Sequence, residues 1–430
     1  MQLAELAVYG LFGRYDHVVQ FPMSTEDNDV PSVVILFGPN GIGKTTLLQM
    51  LDGFMRLDFD AFRRVPFGRA HLKFSNGKIL YVKRLDDGTL RVSFGNHSVV
   101  LSGERKGAAD ESDADAVKSF RKAFFNEITG LTLEYLDESR LIYRRIAEVR
   151  AMVEKGRDVS GPAREGMLFL DSAIRLGHYG GPRVRANLAH DLAARVERFV
   201  IESQVDYKAF FSTDEPDLFP KIIDNLTSPP AELEAPEAIE KRLQRVRDLE
   251  DVHRRFGLDV DRWDFDQLVN LVHRLGGQAN AHASIVLSTY TEFLESRAEA
   301  RQLVAERLVV FEEIMREFFF DKRVRISRKG GLRIESSDGE LLGEEQLSSG
   351  EYQLLYLMVA ALTTKRRGSV IAIDEPELSM HPAWARKLVR NLLRCASRAT
   401  PQLILATHSP EIATDYPDRL VELSPPRHES

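Results

Sequence analysis

The segment Gly38-Pro39-Asn40-Gly41-Ile42-Gly43-Lys44-Thr45 fits the pattern GxxxxGK[ST]. It follows the apolar, β-branched run Val33–Phe37 and leads into a helix-forming stretch that begins near Lys44, the strand–loop–helix setting this pattern requires. Its glycines let backbone N–H groups turn inward around phosphate oxygens, and the helix start adds positive potential. Lys44 is placed to reach the β- and γ-phosphates of a nucleotide. Thr45 can bind Mg²⁺ through its hydroxyl, and Thr46 continues the phosphate-binding set into the first helical turn.

Three further groups suit the same chemistry. Val370–Ile373 is an apolar strand that ends in Asp374-Glu375. There Asp374 can hold Mg²⁺, and Glu375 can orient or deprotonate an attacking water. Ser348-Ser349-Gly350-Glu351 precedes an apolar helix. By itself it reads as an N-cap with an acidic first turn, but such a helix start also offers Ser hydroxyls and a close-approach glycine to a γ-phosphate. His408 follows the apolar strand Gln402–Ala406 and could hydrogen-bond a γ-phosphate there, whereas a lone loop histidine usually has no such role.

The elements that must position these groups lie at both ends of the chain. Residues 1–30 alternate apolar and polar and read as two strands joined near Gly13. Val65–Leu101 is a β-meander with Asn76-Gly77 and Asp87-Gly88 as its turns, and Gly103–Asp115 reads as a loop. A mostly helical stretch follows, broken early by a short strand at Leu131–Leu136 and later at Ser160-Gly161-Pro162, Gly180-Gly181-Pro182 and Ser228-Pro229-Pro230. Its long helices Glu237–Phe256 and Ala283–Phe319 could pair antiparallel or form a short coiled coil, but an ordinary helical subdomain is the simpler reading. A hairpin rhythm near 323–339 precedes alternating helices and strands, the mark of a parallel sheet. The expected organisation is a lobe at 1–114, a helical insertion at 115–320 and a second lobe at 321–430, with the two lobes closing on each other.

Composition narrows the partners. Net charge is −7, so the chain lacks the overall basic character that would point to nucleic acid. Basic clusters at Lys241–Arg247, Lys322–Lys329 and Lys365–Arg367 could touch a phosphate backbone, although such clusters are more often solvated surface. The single cysteine, Cys395, reads as a packed residue and excludes an internal disulfide. Trp263 and Trp384 read as packed. His253, His273 and His282 lack zinc-ligand spacing. No apolar run approaches the roughly 20 residues that span a bilayer, and Glu5 makes the N-terminus a poor signal peptide. A cytoplasmic protein without a membrane role is expected.

In their order along the chain, Gly38–Thr45 (Walker A), Leu347–Glu351 (signature), Asp374-Glu375 (Walker B) and His408 resemble the ABC-type ATPase superfamily. The run Asp374-Glu375-Pro376-Glu377-Leu378-Ser379-Met380-His381-Pro382 is similar to its soluble branch, which includes OLD-family, RecF and SMC relatives and the ATPases of anti-phage systems such as Septu and certain retrons. Leu11–Tyr15 and Thr407–Ile412 are similar to the defence-associated group. The resemblance implies an α/β fold: an ABC-type ATPase head, with a P-loop parallel sheet plus an antiparallel β-subdomain, carrying a large helical insertion. It implies ATP and Mg²⁺ as ligands. It also implies a homodimer or higher assembly, in which Ser348, Ser349, Gly350 and Glu351 of one copy complete the site of the other. Leu378–His381 would be the D-loop, His408 the switch histidine, and an aromatic or arginine at Gly13–Tyr15 a contact to the nucleotide. The family's usual Mg²⁺-ligating Gln has no counterpart near Glu138-Ser139-Arg140.

The functional expectation is an ATPase that drives or senses for a separate effector in anti-phage defence. The sequence reaches Ser430 soon after His408, where OLD nucleases carry a TOPRIM domain, so the effector, a nuclease or toxin, is expected in a partner. The alternatives are a DNA-repair or chromosome-associated ATPase that clamps DNA, and a non-catalytic nucleotide-switched scaffold.

Overall fold

The computed structural model describes residues 1–23, 32–101, 111–137, 192–211, 215–230, 232–258, 263–275, 281–328, 331–343, 346–364, 368–397 and 399–423. The chain divides into two compact units: Met1–Leu188 with Leu347–Ser430, and Ala189–Gln346.

The first unit opens with β1 (Leu3–Leu11), β2 (Tyr15–Gln20), β3 (Val33–Phe37), α1 (Lys44–Arg56) and α2 (Asp60–Arg64). It continues through β4 (Arg69–Phe74), β5 (Ile79–Arg84), β6 (Leu90–Phe94), β7 (His97–Leu101), α3 (Glu111–Glu127) and β8 (Thr132–Leu136). The second unit holds α4 (Leu192–Phe211), α5 (Glu215–Thr227), α6 (Pro236–Arg255), α7 (Phe265–Leu275), α8 (Ala281–Phe318), β9 (Lys322–Ile326), β10 (Leu332–Ser336) and β11 (Leu341–Leu342). The chain then returns to the first unit with α9 (Ser349–Leu362), β12 (Ser369–Asp374), α10 (Pro382–Cys395), β13 (Gln402–Thr407), α11 (Pro410–Ala413) and β14 (Leu420–Glu422).

Two sheets build the first unit. One is parallel, in the order β14-β3-β13-β12-β8. Its central strands β12 and β13 are buried at every residue, which is why they read as continuous apolar runs rather than alternations. The other is antiparallel, in the order β2-β1-β4-β5-β6-β7. Its strands alternate, as β4 does in burying Ala70, Leu72 and Phe74. One apolar core spans both sheets and α1, with Phe54, Phe62, Phe74 and Phe124 fully buried in it. Gln402 joins the sheets. Its amide accepts from Leu3 N at 2.7 Å and donates to Leu3 O at 2.9 Å, as a backbone partner would. The expected α/β class, a P-loop parallel sheet with an antiparallel sheet, is what the chain adopts.

In the second unit, Ile239, Leu243 and Val246 of α6 pack with Phe265 and Val272 of α7 and with Leu294 and Ala298 of α8. Ion pairs fix the direction of this packing. Arg242 meets Glu295, Arg245 meets Glu299, Glu250 meets Arg301 and Arg255 meets Glu312, so both chains advance together. α6 and α8 therefore run parallel, not antiparallel as a helical pair would, because α7 intervenes. Sheet β9–β11 falls in this unit, whereas the sequence reading grouped it with the lobe from 321. The buried Glu312 of α8 accepts Ile326 N of β9 at 2.8 Å, which ties that strand to the helix preceding it.

The short β14, for which the sequence carries no pattern, adds to the edge of the parallel sheet beside β3, and α3 begins at Glu111, just ahead of the helical stretch expected from about 115. The breaks at 160–162 and 180–182 and the basic turn 365–367 lie outside the described residues. Among the described residues, no helix is long and apolar enough to cross a membrane.

Candidate functional site

Parallel register decides which side chains share an edge. Thr407 pairs with Phe37, and Asp374 with Ala406, so β3, β12 and β13 end together. Ligands of open α/β sheets bind beyond such carboxyl ends. The loop after β3, the Asp374-Glu375 pair and His408 all emerge there.

The loop Gly38–Gly43 uses its glycines in two ways. Gly41 and Gly43 have φ of 82° and 104°, in the left-handed region where a side chain is strained. Gly38 and Gly43 are also sites of close approach. A Cβ would stand 2.7 Å from Leu423 O at Gly38 and 2.6 Å from Leu11 Cδ2 at Gly43. Gly43 is the N-cap of α1 and has no capping side chain, leaving the first N–H groups of the helix directed into the loop. Asn40 and Gly41 are exposed, whereas Ile42 is buried and anchors the loop in the core. The Lys44 side chain is buried and donates to Gly38 O at 2.8 Å and Pro39 O at 3.2 Å. Thr46 is half-buried in the first turn.

Thr45 Oγ1 donates to Asp374 Oδ1 at 3.1 Å, which joins two motifs 329 residues apart. A hydroxyl and a carboxylate oxygen form the hard donor set that Mg²⁺ takes, so these residues fit the ion. Next to Asp374, Glu375 takes a left-handed φ of 47° and donates its N–H to Ala406 O at 2.8 Å. Its Oε2 lies 2.5 Å from His408 Nδ1. Burial and the Glu377 carboxylate push Glu375 up to about 7, and His408 opposes the rise. A carboxyl so poised near neutrality suits proton transfer. Glu375, Glu377 and His408 bring ligand atoms within 4.8 Å of one another, a set that could also hold a cation.

The signature residues form a capping box on α9. Ser348 Oγ accepts from Glu351 N at 3.3 Å, and Glu351 Oε2 accepts from Ser348 N at 2.7 Å. Ser349 opens the helix. Gly350 is buried, and a Cβ there would stand 2.4 Å from Ser379 O. Its smallness thus serves a contact within the same chain, with the Leu378–His381 segment.

Two contacts at this site join residues far apart in the sequence. His17 of β2 is buried and its Nε2 lies 2.9 Å from Ile42 O. Phe12, at φ 55°, brings its ring edge to 3.4 Å from a Cβ on Gly43. Both reach the loop from the antiparallel sheet, and neither partner is near in sequence. Arg14 stacks its guanidinium 4.6 Å from the Tyr15 ring beside them. Glu377 lies in the acidic run Asp374–Pro382, where its side chain had no role assigned by spacing. It binds Thr407 Oγ1, His408 N and Ser409 N. Residues 138–140, where the Mg²⁺-ligating Gln is missing, lie outside the described residues. Of the basic helix face, Arg242, Arg245 and Arg247 are paired with Glu295, Glu299 and Asp266.

A family model described as "AAA domain, putative AbiEii toxin, Type IV TA system" matches residues 91–415. Among curated proteins, none matches the chain. Among solved structures, it is similar to the Smc head domain with an extended coiled coil from Pyrococcus furiosus, bound to the C-terminal domain of ScpA. That match has 11% identity, a TM-score of 0.43, and covers 96% of this chain and 91% of that one. An SmcHead bound to the C-winged helix domain of ScpA matches at 13% identity and a TM-score of 0.36, covering 96% and 92%. The SMC head domain from Thermotoga maritima matches at 12% and 0.34, again covering 96% and 92%.

The close approach at Gly350 makes a prediction. Helix propensity alone favours alanine over glycine by up to about 1 kcal/mol. Against it stands a steric clash with the Ser379 carbonyl. Gly350→Ala is expected to lose about 1–3 kcal/mol in urea denaturation, and a variant as stable as the parent would contradict the contact.

Proposed function

The chain belongs to this family of AAA-domain P-loop ATPases, and on that premise we propose that it binds and hydrolyses ATP with Mg²⁺ and uses the cycle to control a partner protein. The observation that carries the reading is the Thr45–Asp374 hydrogen bond beside the Glu375–His408 contact. It gathers a phosphate loop, a metal-fitting oxygen pair and a water-activating carboxylate at one sheet edge.

In this reading the backbone N–H groups of Gly41–Thr46 cradle the phosphates. Lys44 exchanges its loop carbonyls for β- and γ-phosphate oxygens. Thr45 and Asp374 hold Mg²⁺, which supplies charge neutralisation of the developing phosphate oxygens. Glu375 orients a water and takes its proton, and His408 holds Glu375 and faces the γ-phosphate. Ser348, Ser349 and Gly350 cap the γ-phosphate of a second copy, and Glu351 stabilises their helix start through the capping box. Two nucleotides are buried when two copies close, and hydrolysis loosens the pair. The second unit converts that motion into work on the partner. The family description places such domains in a type IV toxin–antitoxin system, a two-component setting, and the role proposed for this chain is anti-phage defence with a nuclease or toxin as its partner.

Two substitutions test the reading. Glu375→Gln should lower phosphate release at saturating ATP by about 10²-fold or more, while ATP still binds; parental turnover would remove hydrolysis from this site. Ser348→Arg should bind ATP as the parent does but fail to dimerise in light scattering. ATP-driven dimers of unchanged size would refute the composite site.

A further inference from the structure

We infer that Glu377 is a positioning residue, which sets His408 against Glu375 by holding the turn after β13. The inference rests on the hydrolytic reading above. One carboxylate oxygen, Glu377 Oε1, accepts from Thr407 Oγ1, from His408 N at 3.3 Å and from Ser409 N at 3.1 Å. Three donors on one oxygen, from three consecutive residues, define the path of that turn. Thr407 Oγ1 also accepts Ser409 N at 2.9 Å, which tightens it further.

Glu377 itself sits in a rigid frame. Glu375 N is bonded to Ala406 O, Leu378 N to Glu375 O at 3.1 Å and Met380 N to Glu377 O at 2.9 Å. Pro376 fixes the φ angle between the two glutamates. The carboxylate is largely withdrawn from water, with a side chain 12% exposed, so its three donors are needed to offset desolvation. Its second oxygen, Oε2, is buried with no hydrogen-bond partner among the described residues.

The His408 ring has little else to hold it. Its side chain is 54% exposed, with Nδ1 at 2.5 Å from Glu375 Oε2 and 3.6 Å from Glu377 Oε1. Glu377 supplies the acceptor for the His408 N–H, and with it the anchor at the residue that carries the ring. The loop that carries Glu377 is also the one whose Ser379 carbonyl meets Gly350 at the start of α9. The signature helix and His408 thus take their positions from one short segment.

The test compares E377Q, E377D and E377A in the full chain. Gln keeps the reach and an accepting oxygen but loses the charge; Asp keeps the charge but falls one methylene short. We expect E377A to bind ATP within about 3-fold of the parent and to lose about 10²-fold in kcat, as a displaced reacting group does. E377Q should recover most of that loss, and E377D should not. In protein labelled with ¹⁵N-histidine, the His408 backbone amide signal, assigned by its absence in H408Q, should move upfield in E377A and stay near its parental position in E377Q. A parental kcat in E377A, an E377D that equals or exceeds E377Q, or an unmoved His408 amide would each overturn the inference. If E377A does not fold, the E377Q and E377D pair still decides. If the parent shows no turnover above Glu375→Gln, the hydrolytic reading fails, and the amide signal still tests the positioning.

Discussion

The parallel pairing of β3, β13 and β12 brings the two ends of a long chain to one sheet edge, and the Thr45–Asp374 hydrogen bond marks where they meet. The rest of the site depends on that pairing. A one-residue slip of β12 would turn Asp374 to the opposite face and carry the adjoining Glu375 with it. The strands resist slipping because both faces are buried and their side chains interdigitate with core packing on each side. The apolar core is therefore the cause of the polar geometry. It fixes backbone ends to which a few charged groups are attached, and those groups need little further support.

Support is nevertheless present, and it comes from close backbone approach rather than from many contacts. Gly38 meets Leu423 O, Gly43 meets Leu11 and Gly350 meets Ser379 O, each at a distance that a Cβ would violate. Left-handed Glu375 and Ser379 bracket the acidic loop. Strained backbone of this kind costs about 1–3 kcal/mol per residue and persists where the surroundings over-determine it. Here the surroundings are β13 on one side and the α9 start on the other.

The sequence made part of this legible. Apolar runs with β-branched residues gave β3, β12 and β13, and turn dipeptides at Asn76-Gly77 and Asp87-Gly88 gave the meander. The loop, the acidic pair and His408 were visible because each follows such a strand. β14 was too short to show a pattern, and the parallel sense of α6 and α8 depends on which charged residues meet across 51 positions or more, as Glu250 and Arg301 do. His17 and Phe12 act on Ile42 and Gly43 through backbone and ring contacts that no local pattern encodes. Ser348 and Glu351 showed the reverse. Their N-cap and acidic first turn were readable from the residues alone, and the structure joins them in a capping box.

Gly38–Thr45 is where we propose that the chain takes a nucleotide. Calorimetric titration of Mg²⁺-ATP into the parent and into Lys44→Ala tests it most directly, because Lys44 is buried against the loop carbonyls and its removal spares the core. Saturable binding by the parent is expected, with a loss of about 10²-fold or more in affinity, about 3 kcal/mol, in the variant. Parental affinity in Lys44→Ala, with heat unchanged, would contradict it.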